Sequence, residues 1–135
     1  MQLLDTTLRE GEQAPGVSFS IEEKKKIAHQ LDEFGIDIIE LGHPVVSDDI
    51  EQACRIIAGD DLKAETMAHA RALKKDIDMA EQVGVDWIGI FLGTSQLSLE
   101  HKLHTNKSAA LEKIRESVSY AKDRGLRVRF TPEDA

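Results

Sequence analysis

One cysteine, one tryptophan, one tyrosine and three prolines stand among 135 residues, and basic residues are outnumbered, 17 Lys and Arg against 25 Asp and Glu. A lone cysteine, Cys54, excludes an internal disulfide, so the fold rests on core packing. No apolar run is long enough to span a bilayer, and no charged, apolar leader precedes the first strand-like residues, which makes the cytoplasm the expected compartment. The formal charge of −8, with no basic cluster beyond Lys24, Lys25 and Lys26, argues against a nucleic-acid partner, and those three lysines read as a solvated helix face. There is no low-complexity tract and no linker, hence no second domain.

The composition that remains, 41% hydrophobic and 31% charged, is that of an ordinary globular chain able to bury a sizeable core. One phrase repeats along it: an amphipathic segment, a glycine, then a short β-rich run. Gly35, Gly59, Gly84 and Gly125 each precede such a run and are expected to close a helix in the left-handed conformation. Apolar residues recur at helical spacing in Ile27, Leu31 and Phe34, in Ile50, Ala53 and Ile57, in Ile77, Ala80 and Val83, and in Leu111, Ile114, Val118 and Ala121. Ser20 and Ser47, each followed by acidic residues, read as N-caps.

The spacing predicts strands over 2–9, 36–42, 62–69, 86–93 and 127–131 and helices over 21–34, 48–58, 74–83 and 106–124. Strands separated by helices pair in parallel through right-handed crossovers. The fold class is therefore α/β. Five strands and four helices make somewhat more than half of a (β/α)8 barrel, so residues 1–135 are expected to be the N-terminal portion of one catalytic barrel, stopping at the end of strand five. The alternative is a complete five-stranded doubly wound domain, whose strand order would reverse internally.

Polar groups concentrate at the carboxyl ends of the predicted strands, where α/β proteins build their sites. Arg9, Glu10 and Gln13 follow the first strand, Gly42-His43-Pro44 the second and Gly93-Thr94-Ser95 the fourth. His69 ends the third, and Arg129, Thr131 and Glu133 lie along the fifth and share one side if extension continues through Pro132. Bland readings compete with these. A lone histidine before proline, as at His43, is more often a surface turn residue than a ligand; His29, His101 and His104 have nothing to promote them. Arg71, Lys74 and Lys75 read as the solvated start of a helix, and Trp87 as packing. Glu40, in an apolar strand, is either a paired buried carboxylate or a site residue.

The run Asp5-Thr6-Thr7-Leu8-Arg9-Glu10-Gly11-Glu12-Gln13 resembles the signature of the acyl-CoA-condensing, metal-dependent barrel lyases, the 2-isopropylmalate, homocitrate and citramalate synthases. The similarity extends through Glu40-Leu41-Gly42-His43-Pro44, Gly93-Thr94-Ser95 and Phe130-Thr131-Pro132-Glu133-Asp134-Ala135. It implies a Claisen-type condensation of acetyl-CoA with a 2-oxo acid, followed by thioester hydrolysis. Glu10 would be the carboxylate on a divalent metal (Mg2+, Mn2+ or Zn2+), Arg9 would polarise the 2-oxo carbonyl, Gln13 would be a neighbouring substrate contact, and Glu133 would belong to the catalytic set. The family's His-x-His ligand pair is absent here, so this polypeptide alone is not expected to turn over. When full length the protein is expected to be a homodimer.

An aliphatic 2-oxo acid needs an apolar slot, whereas 2-oxoglutarate brings a second carboxylate that needs a cation or donors. His69, Arg129 and Thr131 match substrate-binding positions, and the basic pair favours 2-oxoglutarate and a homocitrate synthase. Gly42-His43-Pro44 and Ala70-Arg71-Ala72-Leu73-Lys74-Lys75-Asp76-Ile77-Asp78 are closer to the leucine-pathway pattern, which keeps 2-isopropylmalate synthase, and citramalate synthase with it, as alternatives. A reading of a different class is a non-catalytic half-barrel that assembles through its open edges.

Overall fold

The computed structural model describes residues 1–135. Its five strands, β1 (Leu4–Asp5), β2 (Ile38–Gly42), β3 (Glu65–Arg71), β4 (Trp87–Gly93) and β5 (Arg127–Glu133), pair in parallel in the order β1-β2-β3-β4-β5. Four helices, α1 (Ile21–Phe34), α2 (Asp48–Ala58), α3 (Lys74–Val83) and α4 (Lys107–Asp123), connect them, each packed against the next. The sequential order, without reversal, makes a curled half-barrel and excludes the doubly wound alternative.

Period-two alternation sorts the strand residues between two faces. Ala68, Ile88 and Val128 form one row across β3, β4 and β5, and Ala70, Ile90 and Phe130 the next; both join the apolar core beneath the helices. Ile57 of α2 and Ile77 of α3 meet this core and are fully buried, each such side chain contributing about 1.5–3 kcal/mol. The alternate rows, His69 with Gly89 and Arg129, then Arg71 with Phe91 and Thr131, lie on the opposite, concave face. β2 is buried along its whole length, and its register shifts between Glu40 and Gly42. Gly42 adopts φ 152°, and a Cβ there would stand 3.0 Å from Ile50 Cγ2, so a side chain would push α2 away from the strand.

The start of α1 is an N-terminal capping box. Ser20 Oγ accepts from Glu23 N at 3.3 Å, while Glu23 Oε2 accepts from Ser20 N at 2.8 Å. Ser20→Ala should lower stability by about 1 kcal/mol, read as a lower urea midpoint with an unchanged slope.

Several details differ from the sequence expectation. β1 is two residues long, because Arg9 N and Glu10 N both donate to Thr6 O and turn the chain before Leu8. Gly59 closes α2 with φ −86°, in the right-handed region, whereas Gly35, Gly84 and Gly125 take the left-handed cap. Lys24 is buried rather than solvated: its Nζ lies 2.6 Å from Glu12 Oε2, and Glu12 Oε1 accepts from Phe19 N, fastening the loop after β1 onto α1. Leu111 is 55% exposed because the buried stripe of α4 runs through Ala110, Ile114, Ser117 and Ala121, one position round the helix. Phe34, at the last position of α1, is 81% exposed. No helix is long and apolar enough to cross a membrane.

Candidate functional site

The turn after β1 continues into a short 3-10 turn, Gly11–Gln13, and Leu8, 1% exposed, pins it to the core. Arg9 is thereby aimed back across the strand ends. Its Nε donates to Glu40 Oε2 at 2.7 Å, and its Nη1 lies 2.5 Å from Glu10 Oε2. Glu40, from the middle of β2, is fully buried, and His69 Nδ1 approaches its other oxygen, Oε1, at 3.2 Å. By strict geometry that approach is not a hydrogen bond, and Oε1 is a buried acceptor with His69 Nδ1 as its nearest polar neighbour. Burial pushes the Glu40 carboxyl up, but His69 and Arg9 more than offset it and hold Glu40 below the usual glutamate value. Glu40 is thus both of the things its sequence position allowed: a paired buried carboxylate and the anchor of two site residues.

A second buried carboxylate, on α3, does the same for another pair of side chains. Asp76, in the first turn of α3 and 1% exposed, accepts from Arg71 N at 3.1 Å, Arg71 Nε at 2.8 Å and Arg71 Nη2 at 2.9 Å, and His43 Nε2 lies 3.0 Å from its Oδ2. Burial raises the Asp76 carboxyl, and bonds from Arg71 and His43 outweigh it, so it too sits below its ordinary range. His43 moves below the ordinary histidine value: burial lowers it, and His69 and Arg71 with it, against the raising effect of Asp76. The His43 and His69 rings meet edge to face with centroids 5.9 Å apart, and His69 stacks on Phe91 at 4.4 Å.

Because Glu40 and Asp76 have folded-state values below their unfolded ones, the stability they contribute is present above the unfolded carboxylate range, about pH 4, and is lost as pH falls through the folded values. Urea stability should therefore fall steeply on acidification below about pH 4. Asp76→Asn should cost stability at neutral pH and make that acid limb shallower; an unchanged limb would show that Asp76 is not ionised in the fold.

These residues surround a cavity of about 480 Å³ at the carboxyl ends of the strands. Arg9, Glu10, Gln13, His69 and Glu133 all line it. Leu8, Val46, Ile50 and Phe91 supply its apolar wall. Glu133 closes β5 at the rim, where Lys102 Nζ stands 3.6 Å from its Oε2 and Thr94 N donates to its carbonyl oxygen at 2.9 Å. β5 does run through Pro132, and Arg129 and Thr131 share the concave face with His69. Neither lines the cavity, and Arg129 stands exposed with no ion-pair or hydrogen-bond partner.

The expectations for His43 and Arg71 change. Position before Pro44 reads as surface turn, yet His43 lines the cavity with its side chain 18% exposed; Arg71 is tied to a buried aspartate instead of being only solvated. The signal for both was Asp76, a lone acid on the apolar side of an amphipathic helix beside the buried Ile77 and Ala80. As for a metal, no group of three or more His, Cys, Asp or Glu side chains is close enough to hold an ion. Glu10 faces the cavity as a single carboxylate already paired with Arg9, so the residues of this chain do not by themselves make a metal site.

Comparison with known proteins adds relatives to this geometry. The chain is 52% identical over 132 residues to a homocitrate synthase of Pyrococcus horikoshii, a match covering 98% of this chain and 37% of that protein. It is 49% identical over 135 residues to a probable 2-isopropylmalate synthase of Methanopyrus kandleri, covering all of this chain and 27% of that protein. The chain thus spans about a third of the length of the curated relatives it matches. Among solved structures it resembles in fold the HMG-CoA lyase of Bacillus subtilis, with a TM-score of 0.78 at 18% identity over 96% of this chain and 45% of that one. The hydroxymethylglutaryl-CoA lyase of Pseudomonas aeruginosa gives 0.75 at 22% identity, covering 96% and 44%. The HMGL-like family model matches residues 1–135, and the chain, from its first strand to the rim of its cavity, belongs to the HMGL-like family.

Proposed function

We propose that this chain carries the first five strands of a (β/α)8 acyltransferase that condenses acetyl-CoA with a 2-oxo acid, and that the acid is 2-oxoglutarate, as in a homocitrate synthase. The observation that carries this reading is the pair of basic side chains, Arg9 and His69, drawn to one cavity by the buried Glu40. Arg9 is placed to polarise a 2-oxo carbonyl: its Nε is committed to Glu40, which orients the guanidinium, and the charge it offers stabilises an oxyanion as an enolate carbon attacks. His69, fixed against Phe91, faces the substrate's far end, where Arg129 and Thr131 share the concave side with it. Gln13 is a neighbouring polar contact, and Glu133 at the rim is a carboxylate able to accept a proton.

A divalent metal bound in such a site would add Lewis-acid stabilisation of the same oxyanion. Glu10 is the one carboxylate this chain would give it, with the other ligands supplied by the rest of the barrel. The whole protein is proposed to act in the cytoplasm as a homodimer. A second reading, 2-isopropylmalate or citramalate synthase, is favoured by the apolar wall of Leu8, Val46, Ile50 and Phe91, which suits an aliphatic substituent. Assay of the complete barrel with acetyl-CoA, following release of free CoA thiol, separates them. The expected result is a higher kcat/KM for 2-oxoglutarate than for 2-oxoisovalerate; the reverse order would replace the first reading with the second.

A further inference from the structure

Two imidazoles stand side by side in the cavity, each with one nitrogen turned to its own fully buried carboxylate: His69 Nδ1 to Glu40 and His43 Nε2 to Asp76. The remaining nitrogen of each has no partner within the chain and is not sealed from solvent. Building a histidine–carboxylate pair twice, from β2, the loop after it, β3 and α3, requires two buried acids that a simple apolar wall would not need. We propose that His43 is a second imidazole of the subsite for the substrate's far carboxylate, acting beside His69 and taking up one proton from solvent as the dicarboxylate binds. This rests on the 2-oxoglutarate reading above.

The proton follows from the tautomer. Asp76 is ionised, so His43 Nε2 must carry the hydrogen it donates to Asp76, and Nδ1 is left as a bare lone pair. A carboxylate cannot approach a lone pair favourably. It can approach Nδ1–H, and with Asp76 behind the ring and a second carboxylate in front, the imidazolium is compensated on both sides. In the free protein the balance lies the other way. Burial opposes the proton, the nearby His69 and Arg71 oppose it further, and Asp76 favours it. Across the cavity Arg9 stands with Glu10, Glu12 and Glu133, and Glu40 lies at its base paired with Arg9. An arriving substrate dianion therefore tips the balance at His43, whose Nε2 is already turned to Asp76. An aliphatic 2-oxo acid, with no far carboxylate, gives His43 no reason to take the proton.

The test is nitrogen NMR of the histidine rings in the complete barrel at about pH 8, where a free imidazole is neutral. On addition of 2-oxoglutarate, His43 should pass from the Nε2–H tautomer to the doubly protonated ring, and 2-oxoisovalerate should leave it unchanged. His43→Gln, which keeps a side-chain amide but cannot titrate, should weaken 2-oxoglutarate binding roughly tenfold or more and remove its loss of affinity with rising pH. If His69 responds to 2-oxoglutarate while His43 stays neutral, the assignment of His43 is overturned and the 2-oxoglutarate reading stands. If neither ring responds, both fall. The spectrum of the unsubstituted barrel decides between these outcomes even if the variant does not fold.

Discussion

Glu40→Ala should remove about 3–5 kcal/mol of stability, the usual cost of deleting one member of a buried ion pair. Glu40 is wholly buried in β2 and faces the Arg9 guanidinium at 2.7 Å and the His69 ring at 3.2 Å. Deleting it leaves the Arg9 side chain, 18% exposed, with only the more exposed Glu10 as counter-charge and leaves its Nε without an acceptor. Against a total stability of about 5–15 kcal/mol for a domain, that loss should be visible as a large drop in the urea midpoint. The double variant Glu40→Leu with Arg9→Met, which removes both charges and refills the volume, should recover most of it, because an apolar pair of similar size avoids the desolvation cost. A single variant as stable as the parent would mean that Arg9 and His69 are held by something other than Glu40. Stability and activity should part in the double variant: it folds, yet the complete barrel carrying it should lose turnover, since no guanidinium remains to face the oxyanion.

The order and type of the elements were legible because local signals agree at each one. Ser20 with Glu23 makes the cap it suggests, Gly35 and Gly84 end their helices with positive φ, and Ala68, Ile88 and Val128 alternate with the site residues as period two requires. Arg9, Glu10 and Gln13 could be placed at a strand end from the apolar-to-glycine transition alone, although β1 proved shorter than its apolar run, since the Thr6 carbonyl takes two amides in a turn. What was not legible depends on pairs far apart in the chain. Nothing near Lys24 announces that Glu12 will bury it, and nothing near His43 announces Asp76, 33 residues on. A charged residue reads as solvated until its partner is known, and the partner is set by how α1 and α3 pack on the sheet. The sharing of one concave face by His69 and Arg129 followed from strand alternation, whereas their separation into cavity wall and open face depends on side-chain reach that periodicity does not encode.

Arg129 bears the remaining weight of the substrate argument, and its replacement should have the largest effect on function. It lies in one row with Gly89 and His69 on the concave side, and the place between the two basic residues, over Gly89, is taken by Met67 and the Glu40 carboxylate, 3.5 and 3.6 Å from where a Cβ would stand. Its guanidinium is exposed and has no partner in the chain, unlike Arg9, Arg71, Arg124 and Arg127, which are all paired with carboxylates. An arginine left free beside a binding cavity, where neighbouring arginines are compensated, is available to a ligand's carboxylate. Arg129→Gln in the complete barrel should therefore raise KM for 2-oxoglutarate by a factor on the order of 100, if about 3 kcal/mol of charge-assisted bonding is lost, while KM for acetyl-CoA changes little. The stability of this chain should hardly move, because no internal contact is removed. His69→Ala should raise the same KM more weakly, since a histidine is only fractionally charged near neutral pH. Equal handling of 2-oxoglutarate by the parent and Arg129→Gln would remove Arg129 from the site and, with it, the charge argument for a dicarboxylate substrate.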